Sequence, residues 1–208
     1  EAKGIMSAPV TIIDGEPIIG YYPKKLIPAL HLNISVDLGS SVEWLADKYD
    51  RILSAAVRAT KQLSEDQLGV ELAWRPQSLR SMMMHILSFP ELAYLSHVTG
   101  SMNQADMKAG GEKNKGITTS DGICAYGTQI QQDIRQFLEA GDMEALDLVV
   151  DAHYGGEVTV LELMNIILRH STHHLKQVYW FLDEKMGITL VDKATAEDFE
   201  GINTPAVL

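Results

Sequence analysis

A single cysteine, Cys124, stands in the 208 residues. No disulfide can form within the chain, and so sparing a use of cysteine fits a reducing, cytoplasmic setting. No apolar run reaches the roughly 18 residues of a membrane-spanning helix, and no charged-then-apolar opening reads as a secretory signal. Glu rather than Met stands first, which fits a chain that starts downstream of its natural beginning or has been processed. Basic residues are scarce: 17 Lys and Arg against 28 Asp and Glu give a formal net charge of −11. A phosphate backbone repels such a surface and no basic run offsets it, so nucleic acid is not an expected partner. Hydrophobic residues make up 46%, which excludes a disordered or collagen-like chain and leaves one globular domain, or one with an appendage.

What is present falls into three stretches: an N-terminal arm over 1–39, a helical body over 40–187 and an irregular tail over 188–208. In the arm, two short apolar runs flank Asp14-Gly15, a pair suited to the positive φ values of a tight β-hairpin turn. Pro23 is placed to open a short helix. The body predicts four long helices, about Ser41–Leu63, Ser78–Val98, Asp121–Glu139 and Thr159–Lys185, from caps and apolar spacing. Pro90 is expected to kink or break the second. Residues 100–120, polar and glycine-rich, read as a mobile surface loop, and 145–154 resists assignment. Four helices with apolar stripes make an all-α four-helix bundle with a short β-hairpin arm the economical fold.

Seven histidines are present, and His170, His173 and His174 crowd into the last helix. At about 100° per residue, His170 and His174 fall one turn apart towards the apolar stripe, and His173 turns towards a charged side marked by Glu162, Arg169, Lys176 and Asp183. Two imidazoles so placed can share a metal ion, and a third from a facing helix would leave coordination positions open. His85, on the edge of an apolar face after Met82-Met83-Met84, is the best third ligand, with His153 and His97 in reserve. The same spacing also arises where histidines only hydrogen-bond within a core. The three methionines point about 100° apart and read as core filler. Cys124 reads as an inert core thiol; Trp44, Tyr49, Tyr179 and Trp180 read as packing, with Trp180 a candidate for a subunit contact.

Trp74-Arg75-Pro76, Ser78-Leu79-Arg80 and His85, followed by His170-Ser171-Thr172-His173-His174-Leu175-Lys176-Gln177, resemble the helix signatures of the DinB/YfiT superfamily over about residues 40–185. The resemblance implies a four-helix bundle with a divalent-metal site whose ligands, by position, are His85, His170 and His174. It also implies a metal-dependent transferase or isomerase using a low-molecular-weight thiol; three imidazoles suit zinc, nickel, iron or copper, with zinc or nickel the leading expectation and iron next. Residues 7–15, Ile18-Ile19-Gly20-Tyr21 and Leu26-Ile27 resemble the second half of a glutaredoxin, with Pro9 as its cis proline; an unrelated docking hairpin is the alternative. The expected pocket rim is the 100–120 segment with the N-terminal arm. Two other readings remain open at this point, a metal-dependent hydrolase and a non-enzymatic, stress-associated metal-binding bundle. The expected assembly is a homodimer. The residues name no catalytic group beyond the ligands.

Overall fold

In the computed structural model of the protein, residues 10–19, 23–33, 41–153 and 156–205 are described. Strands β1 (Val10–Ile13) and β2 (Glu16–Ile19) pair antiparallel, Ile13 opposite Glu16. Asp14 and Gly15 both take positive φ, 51° and 87°, which matches the turn to the twist of its strands. This is the hairpin that Asp-Gly predicts. Pro9 and Gly20-Tyr21, on which the glutaredoxin likeness leans, lie outside the described residues. Helix α1 (Pro23–Ala29) opens on Pro23.

The body follows as α2 (Val42–Lys61), α3 (Glu65–Leu68), α4 (Leu79–Thr99), β3 (Ser101–Met102), α5 (Gln104–Asn114), α6 (Ser120–Glu139), α7 (Met143–Asp147), β4 (Val149–Ala152), β5 (Gly156–Thr159), α8 (Val160–Glu184) and α9 (Ala196–Phe199). Side-chain oxygens close the first turns of the long helices. Ser41 accepts from Trp44 N, Ser78 from Ser81 N, Thr119 from Gly122 N, and Thr159 exchanges two bonds with Glu162. Each satisfies a donor that the helix cannot. Gly141 and Gly187, at φ 62° and 64°, provide the left-handed exits after α6 and α8.

Helices α2 and α4 each pack against both α6 and α8, so the circuit of the bundle runs α2–α6–α4–α8. Leu45, Ile52 and Leu53 of α2, Met82, Met83, Ile86 and Leu87 of α4, Ile123 and Ile130 of α6, and Leu163, Ile167 and Val178 of α8 fill the core. Tyr49 enters it too, its hydroxyl donating to the Met164 carbonyl at 2.7 Å. Helix α6 comes so close that a Cβ on Gly127 would sit 2.7 Å from Val57 Cγ2 and 2.9 Å from Leu87 Cδ1. The expected all-α four-helix bundle with its N-terminal hairpin is therefore the fold.

Several local expectations change. Helix α4 runs unbroken through Pro90. Proline removes the N–H that the Ile86 carbonyl would accept, but Ser171 Oγ of α8 donates to that carbonyl instead, at 3.0 Å. The 100–120 segment is not a loop, because it holds α5. Asn103 and Asp106 form a capping box there, and Lys113 reaches Glu91 at 2.8 Å. Residues 149–152 form the middle strand of a small sheet in the order β3-β4-β5. The tail is built in rather than irregular throughout. Leu190 and Ile202 are buried, and Lys48 Nζ donates to the Glu197 and Asp198 carbonyls at 2.8 and 3.3 Å. The charged side of α8 is only half-exposed at Glu162, Arg169 and Lys176, and the tail meets it at Lys176. Lys176 lies 4.7 Å over the Phe199 ring and donates to Thr204 at 2.9 Å.

Candidate metal centre

The cap at Thr159 fixes where α8 begins, and from there His170 and His174 fall on successive turns of one face. The face of α4 that packs against α8 carries His85. The three rings converge: their centroids lie 4.9 Å apart for His85–His170, 5.0 Å for His85–His174 and 4.5 Å for His170–His174. One nitrogen from each lies within 4.8 Å of the other two. Phe89, one turn beyond His85, walls the cluster, 3.9 Å from the His85 ring and stacked on His170 at 5.0 Å.

Burial keeps these imidazoles neutral. Desolvation, then the neighbouring His174 and Arg75, pushes His85 down to about 3. The same causes hold His170 well below its ordinary value. Desolvation brings His174 down to about 4 against an opposing hydrogen bond from Gln177. That bond joins His174 Nδ1 to Gln177 Oε1 at 2.7 Å. The amide oxygen only accepts, so Nδ1 carries the proton and Nε2 keeps its lone pair. Nε2 of His85 is buried with no hydrogen-bond partner, a costly state for a polar atom. Three neutral nitrogen donors, one held in its tautomer and one bare, fit a borderline divalent ion such as zinc or nickel, with coordination positions to spare.

A cleft of about 470 Å³ opens beside His85, between α4 and α5, lined among others by Met84, Phe89, Leu92, Met107 and Ile117. The 100–120 segment thus does border it, as a helix. Among the described residues, none of the N-terminal arm does. In the wall of the cleft Glu91, 6% exposed, accepts from Lys113 at 2.8 Å and from the Tyr126 hydroxyl at 2.6 Å. Asn114 Nδ2 donates to that same hydroxyl at 3.0 Å. Burial and Glu91 push the Tyr126 hydroxyl far above its ordinary range.

The other histidines stand apart. His97 sits at the far end of α4, its Nδ1 against the Tyr94 carbonyl and its ring stacked on Phe137 at 4.6 Å. His153 follows β4, its N–H donating to Met102 O at 2.9 Å. His173 lies beside His174, ring centroids 5.7 Å apart, outside the cluster. Met82 and Met83 are core, while Met84 faces the cleft. Cys124 is only half-buried, 3.6 Å from the Val57 carbonyl, and burial raises its pKa. Trp74 packs edge-on against Trp180 at 5.9 Å and Phe181 at 5.3 Å. Phe89 and the Glu91 group were not singled out from the sequence. The signals were an aromatic one turn after His85 and a lone carboxylate in an apolar run. Among the described residues no helix is long and apolar enough to cross a membrane.

The family model of the DinB superfamily matches residues 48–178. The crystal structure of a DinB-like protein from Bacillus subtilis is similar to this chain with a TM-score of 0.53 and 18% identity, over 70% of this chain and 93% of that one. At that identity the likeness bears on the fold alone. No curated protein matches the sequence.

Proposed function

The chain belongs to the DinB superfamily, and from that premise we propose that it is a divalent-metal-dependent transferase or isomerase acting on a low-molecular-weight thiol, with His85, His170 and His174 as the metal ligands. The observation that carries this reading is the convergence of three imidazole nitrogens within 4.8 Å beside an open cleft. A divalent ion held there supplies a Lewis acid that lowers the pKa of a thiol or water it ligates. Gln177 orients the His174 lone pair, and burial keeps all three ligands unprotonated at neutral pH. Phe89 packs on the rings of His85 and His170, and the apolar part of the cleft lining suits the carbon skeleton of the partner substrate. A glutaredoxin half at the N-terminus would tilt the choice from hydrolysis towards thiol chemistry.

Metal content by plasma mass spectrometry tests the site. The full chain is expected to carry about one equivalent of zinc or nickel, and the His170→Ala variant is expected to lose it. The loaded protein is then expected to consume a thiol together with an electrophile. No metal in the parent after incubation with either ion would sink the reading; metal without thiol turnover or thiol affinity would leave a metal-binding bundle.

A further inference from the structure

Pro90 leaves one carbonyl in the interior of α4, that of Ile86, without its helical donor, and the ring crowds the same oxygen. Ile86 and Ser171 are both 0% exposed, so water cannot serve that oxygen, and leaving it bare is costly. A serine inside a helix commonly turns its hydroxyl back to the carbonyl four residues earlier. The next residue, Thr172, does this, donating to Leu168 O at 2.7 Å. Ser171 instead crosses between helices and donates to Ile86 O at 3.0 Å. Ile86 follows His85 and Ser171 follows His170, so the bond spans the helix gap directly beside the imidazole cluster.

Ridge-into-groove packing is a tendency that tolerates about 15–20° of scatter between helices. A hydrogen bond to the one open carbonyl is stricter, since each residue of slip moves the donor about 1.5 Å along the axis. We propose that Pro90 and Ser171 form a register lock: the carbonyl opened by the proline and the hydroxyl that fills it hold α4 and α8 in the alignment that places His85 against His170 and His174. Both are positioning residues, and their role rests on the three-histidine reading of the site.

The test uses the full chain as parent, Ser171→Ala, Pro90→Ala and the double variant. It reads the Tm of the metal-free protein and the zinc Kd by competition with a chromophoric chelator. Ser171→Ala is expected to lower Tm by several degrees when Pro90 is present. The loss is smaller in the Pro90→Ala background, where a restored N–H serves Ile86. Zinc binding weakens about tenfold or more in both chains that lack the serine, the double variant included, although its Tm recovers. That double variant, with every interior carbonyl of α4 paired, carries the test should Ser171→Ala alone fail to fold. Equal Tm losses in both backgrounds overturn the lock, and so does a double variant with the parent's zinc Kd. A parent that binds neither zinc nor nickel removes the three-histidine reading itself, and the lock's role at the site goes with it.

Discussion

The buried imidazoles make the protein acid-sensitive in a definable window. In the unfolded chain a histidine takes up its proton near pH 6.5, whereas folded His85 and His174 resist until about 3 and about 4. Between these values the unfolded state binds more protons, so stability is full above pH 6.5 and falls as the pH drops. Denaturant titrations of the metal-free protein are expected to show this loss from pH 6.5 to 4.5. A His85→Phe variant is expected to show a shallower slope over the same range; an unchanged slope would assign the acid sensitivity elsewhere. At the same scale, Gln177→Leu removes the acceptor that fixes the His174 tautomer. It is expected to weaken zinc binding about 10- to 100-fold while leaving Tm near the parent's, as changes behind a ligand usually do.

At the scale of elements, two glycines make opposite predictions. A methyl group on Gly127 must displace Val57 or Leu87, and overpacking of about 1–3 kcal/mol outweighs the gain of about 1 kcal/mol in helix propensity. A Cβ on Gly111, in α5, would meet nothing within 4 Å, so the propensity gain stands alone. Gly127→Ala should lower Tm and Gly111→Ala should raise it, both by thermal unfolding. The long helices were legible because their caps and apolar spacing are local: Ser41, Ser78, Thr159 and Gly187 mark their own ends. Helix α5 was hidden by Gly110-Gly111. Its capping box of Asn103 and Asp106 is local, but its other supports are tertiary, namely Lys113 on Glu91 and a close approach at Gly110, where a Cβ would lie 3.3 Å from Leu92. The small sheet was hidden because Ser101-Met102 pairs with Asp151-Ala152, a partnership no local pattern announces. At the site, the helical wheel placed His170 and His174 together and turned His173 aside, as they are found. The contact with His85 depends on how α4 meets α8, and for that the sequence offered its place at the edge of an apolar face and the family signature.

The whole molecule is an acidic bundle strapped by its own C-terminal segment. Lys48, 6% exposed, donates to two carbonyls of α9, and Arg51 joins Asp198 at 3.0 Å. Lys48→Met removes charge-assisted bonds and leaves two carbonyls bare, a loss of about 2 kcal/mol that should appear as a fall in Tm of about 4–8 °C. The strap also meets the charged side of α8 at Lys176 and Asp183, which a helical wheel drawn on one helix could not foresee. A last consequence concerns the one sulfhydryl. Cys124 is half-buried between α6 and α2, and its thiol is pushed away from ionisation, so alkylating and disulfide reagents meet a slow, single-site target. Labelling kinetics at that atom become a clock for the parting of these two helices. In an assay of the proposed reaction, the fast-reacting sulfur would belong to the added small thiol, so its disappearance could be followed in the presence of the protein without masking Cys124.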